Sequence, residues 1–187
     1  LFRSFSDPFR VLPTTSFLCV NLADDLNTRK YASKLVYDFL PNMVATFEAE
    51  LKFWIEPQAE ESDLWKVDPF DCYSNLRSDI LETLEKIEVK TTIHMPGNKK
   101  GECIIGFKGR SIIDLADNFI LTRFVTNNIA ADYGYRVLFN QDKEPNLKLI
   151  LVCNNNDGQM FLDNFIANYP FILEYRSEEH TSELQSQ

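Results

Sequence analysis

Apolar residues recur along this chain with two different periods, and the order in which those periods alternate outlines a fold. Residues 46–56, TFEAELKFWIE, alternate in part and are rich in β-branched and aromatic side chains, which predicts a strand. Leu76, Ile80, Leu84 and Ile87 recur every three or four residues, which predicts an amphipathic helix over about residues 74–86. Five more segments read as strands: FLCVNL (17–22), EVKTTI (88–93), ECIIGF (102–107), YRVLFN (135–140) and LKLILVC (147–153). Ser111 followed by Asp114 has the form of a capping box and opens a long helix. Ile112, Leu115, Phe119 and Ile129 are among its apolar positions, and Gly134 is placed to end it. PQAEESD, HMPGNKKG and NNNDG read as loops and turns.

From residue 46 the order is strand, helix, strand, strand, helix, strand, strand. Short loops join antiparallel strands, whereas a helix between strands permits a parallel pair. The mixture predicts an α+β fold rather than a regular doubly wound sheet. Leu76, Ile80, Leu84, Phe119 and Ile129 are expected to be buried against a mainly antiparallel sheet, with both helices on one side of it.

Composition narrows this further. A hydrophobic content of 44% with 13% aromatics supports a packed core. The net charge is -9, and residues 176–187 carry Arg176 against Glu178, Glu179 and Glu183, so -7 remains for the body. An acidic body argues against a nucleic-acid partner, which calls for clustered Lys and Arg. No apolar run approaches the roughly 18 residues of a membrane span. Cys19, Cys72, Cys103 and Cys153 are widely spaced with no C-x-x-C, the pattern of reduced thiols in a cytoplasmic protein.

The closing stretch RSEEHTSELQSQ has no hydrophobic period, and RSEEHTSELQS is what a common sequencing-library adapter encodes when translated. Residues 176–187 are therefore expected to be read-through rather than native and to pack on nothing. The parent gene would then continue past Tyr175, and Leu1 in place of Met points to a missing start as well.

Little else carries chemistry on its own. Glu48, Glu50 and Lys52 share one strand face, as a solvated row of charges would. HMPGNKKGE has glycines and lysines but not the spacing of a P-loop. His94 has no second His or Cys at ligand spacing.

Taken in order, however, the segments resemble glutamine synthetase. DPFRVLP…FLCVNL resembles the end of that family's small β-grasp domain. AELKFWIE resembles its first catalytic strand, which carries Glu-x-Glu-Phe-Phe. VDPFDCYSNLRSDILETLEKIEVK resembles its Asp–Arg–helix–strand run, with Asp71, Arg77, Leu84 and Val89 in the matching places. MPG…GECIIGF resembles the loop and strand Glu-x-x-Pro-Gly-Gln-x-Glu, and DLADNFILTRFVTNNIAADYGYRVLF the long helix beginning Ala-Asp-Asn. LKLILVCNNNDGQMF lies where the family has His-x-His and an Asp-Gly turn. The likeness covers roughly residues 7–165. It implies a truncated catalytic domain over 25–175 after the end of a β-grasp-like domain at 1–24, with a curved, mainly antiparallel sheet and the helices on its convex side. It also implies ATP-dependent ligation of ammonia to glutamate with Mg²⁺ or Mn²⁺ held by carboxylates. Active sites built between subunits imply self-association or association with homologous subunits.

The match fails at the chemistry. With Glu50 as the first residue of Glu-x-Glu, the second is Lys52, and Phe53 and Trp54 take the aromatic pair. Glu102 matches the later carboxylate, while the one before Pro-Gly falls at Ile93 or His94. Lys100 replaces the Gln, Asn140, Gln141, Asp142 and Lys143 replace Met-Pro-Lys-Pro, and both histidines of His-x-His fall among the apolar residues 149–152. A shifted register would instead make Glu48 and Glu50 the Glu-x-Glu pair. The expectation is a copy that has lost catalysis and holds no cofactor of its own, leaving a structural, regulatory or assembly role. A divergent active ligase and an unrelated α+β binding domain are the alternatives.

Overall fold

The computed structural model describes residues 3–19, 29–31, 33–34, 46–56, 71–139, 146–152, 159–160 and 163. The 176–187 tail, the PQAEESD loop, the NNNDG turn, the 24/25 domain boundary and the end of the FLCVNL strand lie outside them. The elements run β1 (Arg3–Ser6), β2 (Thr15–Leu18), β3 (Thr46–Glu56), α1 (Ser74–Lys86), β4 (Thr91–Pro96), β5 (Glu102–Gly109), α2 (Ile112–Asp132), β6 (Arg136–Leu138) and β7 (Leu147–Val152). β1 and β2 form a hairpin of their own. The other strands make one sheet in the order β4-β5-β3-β6, with β7 also paired to β3. Every pairing is antiparallel. The α+β reading holds.

β3 is the spine of this sheet. β5 runs along one side from Phe47 to Trp54, while β7 and β6 share the other side end to end. Its alternation sorts side chains by face: Ala49, Leu51, Phe53 and Ile55 are buried in the core. The register places Cys103, Ile105 and Phe107 opposite Phe53, Leu51 and Ala49, so they join the same layer. Leu76, Ile80 and Leu84 of α1 and Leu115, Leu121 and Val125 of α2 close over that layer in a single cluster. Each such side chain contributes about 1.5–3 kcal/mol when fully buried. Phe119 and Ile129, expected in the core, are only half-buried and pack at its margin. Among the described residues no helix is long and apolar enough to cross a membrane.

Two local predictions shift. EVKTTI was expected as a strand from residue 88, but β4 starts at Thr91 and runs on to Pro96. The N–H groups of Ile87 and Val89 both reach the Leu84 carbonyl, and Glu88 sits at φ 64°, so residues 87–89 serve the exit of α1 instead. The second shift is a strand that hydrophobic patterning did not reveal: β1, RSFS, pairs with β2. The hairpin packs on α2 through Phe5 and Phe9, whose rings meet Phe124 edge-on at 5.9 and 5.6 Å.

α2 opens as the sequence predicts. The Ser111 hydroxyl accepts the Asp114 N–H at 3.1 Å, and the Asp114 carboxylate accepts the Arg110 N–H at 2.8 Å. Gly134, at φ 76°, follows its last turn. Ser111→Ala is expected to cost about 1 kcal/mol, read as a lower urea midpoint at unchanged slope. Several polar residues on α2 are buried because partners meet them. Asn118 donates to the Lys108 carbonyl at 2.6 Å and accepts from Arg3, while Asp117 takes both ends of the Arg29 guanidinium at 2.8 and 2.9 Å.

Candidate functional site

The side chains of β3 that point away from the helices include Glu48, Glu50 and Lys52, and each faces a charge of opposite sign. Glu48 lies directly opposite Lys108 of β5, with 2.7 Å between Oε1 and Nζ. Glu50 lies opposite Lys148 of β7, with its Oε2 3.1 Å from the ammonium. Lys52 reaches diagonally to Glu102, 3.2 Å from Nζ to Oε1. Three carboxylates and three ammoniums are thus paired across one sheet face, as cross-strand neighbours of opposite charge can be. The first two pairs are solvent-exposed on the lysine side and worth at most about 1 kcal/mol each.

Glu102 is different because it is 2% exposed. Its Oε2 accepts the backbone N–H of Asn98 at 2.5 Å and of Lys99 at 2.8 Å. Burial alone would raise its pKa, but the Lys99 N–H, the Lys52 ammonium and the Asn98 N–H outweigh burial and hold it below the ordinary value.

β4 contributes the next candidates, and a bulge between Thr91 and His94 decides where they face. His94 pairs with Ile105, whose side chain is in the core. Thr92 and Ile93 both approach the charged face at the bulge: a Cβ on Gly106, which pairs with Glu50, would meet Thr92 Oγ1 at 2.2 Å and Ile93 Cγ1 at 2.9 Å. Glu50, Lys52, Glu102 and Ile93 therefore share one face, and His94 does not join them. Nothing in the local sequence pattern marks Lys108 and Lys148. Only the strand register, set by residues far apart along the chain, brings them to Glu48 and Glu50.

Beneath this face, Arg77 of α1 is 1% exposed and holds Asp71 through both of its terminal nitrogens, one at 3.1 Å. The same Nη1 lies 3.7 Å from Cys103 Sγ. Burial pushes the Cys103 thiol up to about 11, so it is protonated and uncharged at neutral pH. A separate cavity of about 500 Å³ lies between the β1–β2 hairpin and α2, lined by Phe5, Phe9, Phe17, Ile120 and Phe124 among others. It includes none of the charged residues of the sheet face.

The match to known proteins agrees with this architecture. The profile of the glutamine synthetase catalytic domain matches residues 20–144. The chain belongs to the glutamine synthetase family. A glutamine synthetase of Nostoc sp. is 31% identical over 74 residues, which are 39% of this chain and 16% of that protein. Among solved structures, Plasmodium falciparum glutamine synthetase matches with a TM-score of 0.52 at 11% identity, over 68% of this chain and 33% of that one. A crystal structure described as a novel glutamine synthase homolog matches with a TM-score of 0.50 at 14% identity, over the same shares. At such identities the structural likeness speaks for the fold alone. The chain spans a third or less of the length of these relatives. Membership sets aside the unrelated α+β binding domain.

A glutamine synthetase cation site calls for hard oxygen ligands that converge. Among the described residues no group of three or more His, Cys, Asp and Glu side chains comes together in that way. Each carboxylate of the sheet face already meets an ammonium at 2.7–3.2 Å. As they stand, these residues do not fit a divalent cation.

Proposed function

We propose that this chain is a glutamine synthetase-like domain that does not ligate ammonia to glutamate. It serves a structural, regulatory or assembly role through contact with copies of itself or with homologous subunits, and takes up neither ATP nor Mg²⁺ or Mn²⁺. The observation that carries this reading is the Lys52 ammonium 3.2 Å from Glu102, at the strand position where the family pattern has its second Glu. At about 4 Å and an effective dielectric near 20, a unit charge pair is worth roughly 4 kcal/mol. A divalent cation would lose about 8 kcal/mol of attraction when that carboxylate goes, and would meet repulsion of similar size from the ammonium. Solvent screening and bending of the lysine stem lower both figures severalfold, yet their sign stays unfavourable. Ile93, on the same face, offers no oxygen in compensation.

One observation favours a second reading, a divergent active ligase. Glu48 and Glu50 both stand on the open face at about 20% exposure, where a shifted register would make them the Glu-x-Glu pair. Calorimetric titration of the purified protein with Mn²⁺, alongside an assay of ATP-dependent glutamine formation, separates the two. The expected result is no saturable heat and no glutamine. Micromolar binding with turnover would establish the ligase instead.

A further inference from the structure

We infer that Glu102 is a structural staple that sets the β4–β5 turn, a positioning residue rather than a remnant ligand waiting for an ion. The inference rests on the reading that this face holds no cation, and it assigns the surviving carboxylate another task. Residues 97–101 join Pro96 of β4 to Glu102 of β5. Within this turn the Gly97 N–H reaches the Glu102 carbonyl at 2.8 Å, and the Glu102 N–H reaches the Lys99 carbonyl at 3.1 Å. These backbone bonds leave the N–H groups of Asn98 and Lys99 pointing inward, and Glu102 Oε2 accepts both. Oε1 faces the Lys52 ammonium. Both oxygens are engaged, in a side chain that is almost wholly buried.

Gly97 supplies the second, independent observation. A Cβ at that position would lie 2.3 Å from Glu102 Cγ and 2.3 Å from Oε2. The volume a side chain would take at residue 97 is filled by the glutamate, so the turn and the carboxylate are shaped to each other. From the turn, the Gly101 carbonyl then accepts the Ile55 N–H of β3 at 2.9 Å, tying its geometry to the spine of the sheet. Oε2 could take up a cation only by giving up two backbone N–H donors, which is costly, and Oε1 only by displacing the Lys52 ammonium. Glu48 and Glu50 have no such backbone donors among the described contacts and are free of that constraint.

Amide hydrogen exchange on the whole chain, followed by NMR, tests this. In Glu102→Ala the protection of Asn98 and Lys99 should fall about tenfold or more, while Leu51 and Ile105 in the sheet centre keep theirs. Glu102→Gln, whose side-chain oxygen still accepts both N–H groups, should keep protection within about threefold, and so should Lys52→Met. Gly97→Ala should lose protection at the same two amides, and Gly97→Ala with Glu102→Ala should melt no lower than Glu102→Ala alone, because the clash has gone. That double variant keeps the test decisive if one single variant fails to fold. Unchanged exchange at Asn98 and Lys99 in Glu102→Ala would overturn the staple. So would selective Mn²⁺ broadening of those amides with loss of their protection. Glutamine formation by the wild-type chain would refute the non-catalytic reading, whereas the exchange pattern reports on the staple, so the two failures are distinguishable.

Discussion

Arg77→Met is expected to lower folding stability by about 3–5 kcal/mol, among the largest effects available from one side chain in this protein. Arg77 is 1% exposed, and burial works against its charge, but the hydrogen bonds to Asp71 outweigh that and raise its pKa above the ordinary value. Removing the guanidinium strands the Asp71 carboxylate, whose remaining side-chain contact among the described residues is the Tyr73 N–H at 3.3 Å. Asp71→Asn should cost at least as much, because it leaves a buried cation. Cys103 cannot serve as its counter-ion while its thiol stays protonated. Combining the two substitutions should recover a large part of the loss, since no uncompensated charge is then buried. Urea unfolding at constant slope measures all three variants. Single variants within about 1 kcal/mol of wild type would mean that water reaches this pair.

Gly109→Ala should lower stability by about 3 kcal/mol, near the upper end for overpacking. A Cβ at Gly109 would sit 2.5 Å from the Leu115 nitrogen and 2.7 Å from its Cα. These are backbone atoms in the first turn of α2, so no rotamer change relieves the clash. The helix has to lift from β5, which disturbs buried Leu115 and the bond from Asn118 to the Lys108 carbonyl. At roughly 2–4 °C per kcal/mol for a chain of this size, the melting temperature should fall by about 6–12 °C. Gly134→Ala is the control. It meets open space and carries only the left-handed φ penalty of about 1–2 kcal/mol. If the two variants melted alike, close approach of α2 to β5 would not be what requires glycine at 109.

β3 and α1 could be read from the sequence to the residue because their patterns are locally complete. Thr46–Glu56 carries the strand alternation itself, and Leu76, Ile80 and Leu84 carry the helical stripe. β4 was misplaced by three residues because Glu88-Val-Lys looks like a strand, while the chain uses it to leave α1. β1 was invisible because four residues of alternating Arg, Ser and Phe have no signal without their partner strand. In the candidate site, the sharing of a face by Glu48, Glu50 and Lys52 follows from a period of two and needs no structure. Lys108 and Lys148 do not follow from it, since pairing register depends on contacts between distant segments. The buried Asp117 and Asn118 were hidden for a related reason: their partners Arg3 and Arg29 come from the other end of the chain.

The sharing of one side of β3 by β6 and β7 has a consequence for synthesis. β3 is complete at Glu56, yet β7 begins only at Leu147, about ninety residues later. At roughly 5–20 residues per second, the ribosome leaves that edge without its β7 partner for several seconds. In that interval the stretch from Thr46 to Leu51 lacks the backbone partners β7 will supply, and strands with open edges pair readily with other chains. Because β5 is translated before β7, one side of β3 can close early while the other waits. A nascent chain that has emerged past residue 109 but not yet past 147 would therefore carry β3 paired with β5, Glu48 on Lys108, beside an open strand edge, which is the form a holding chaperone would most readily meet.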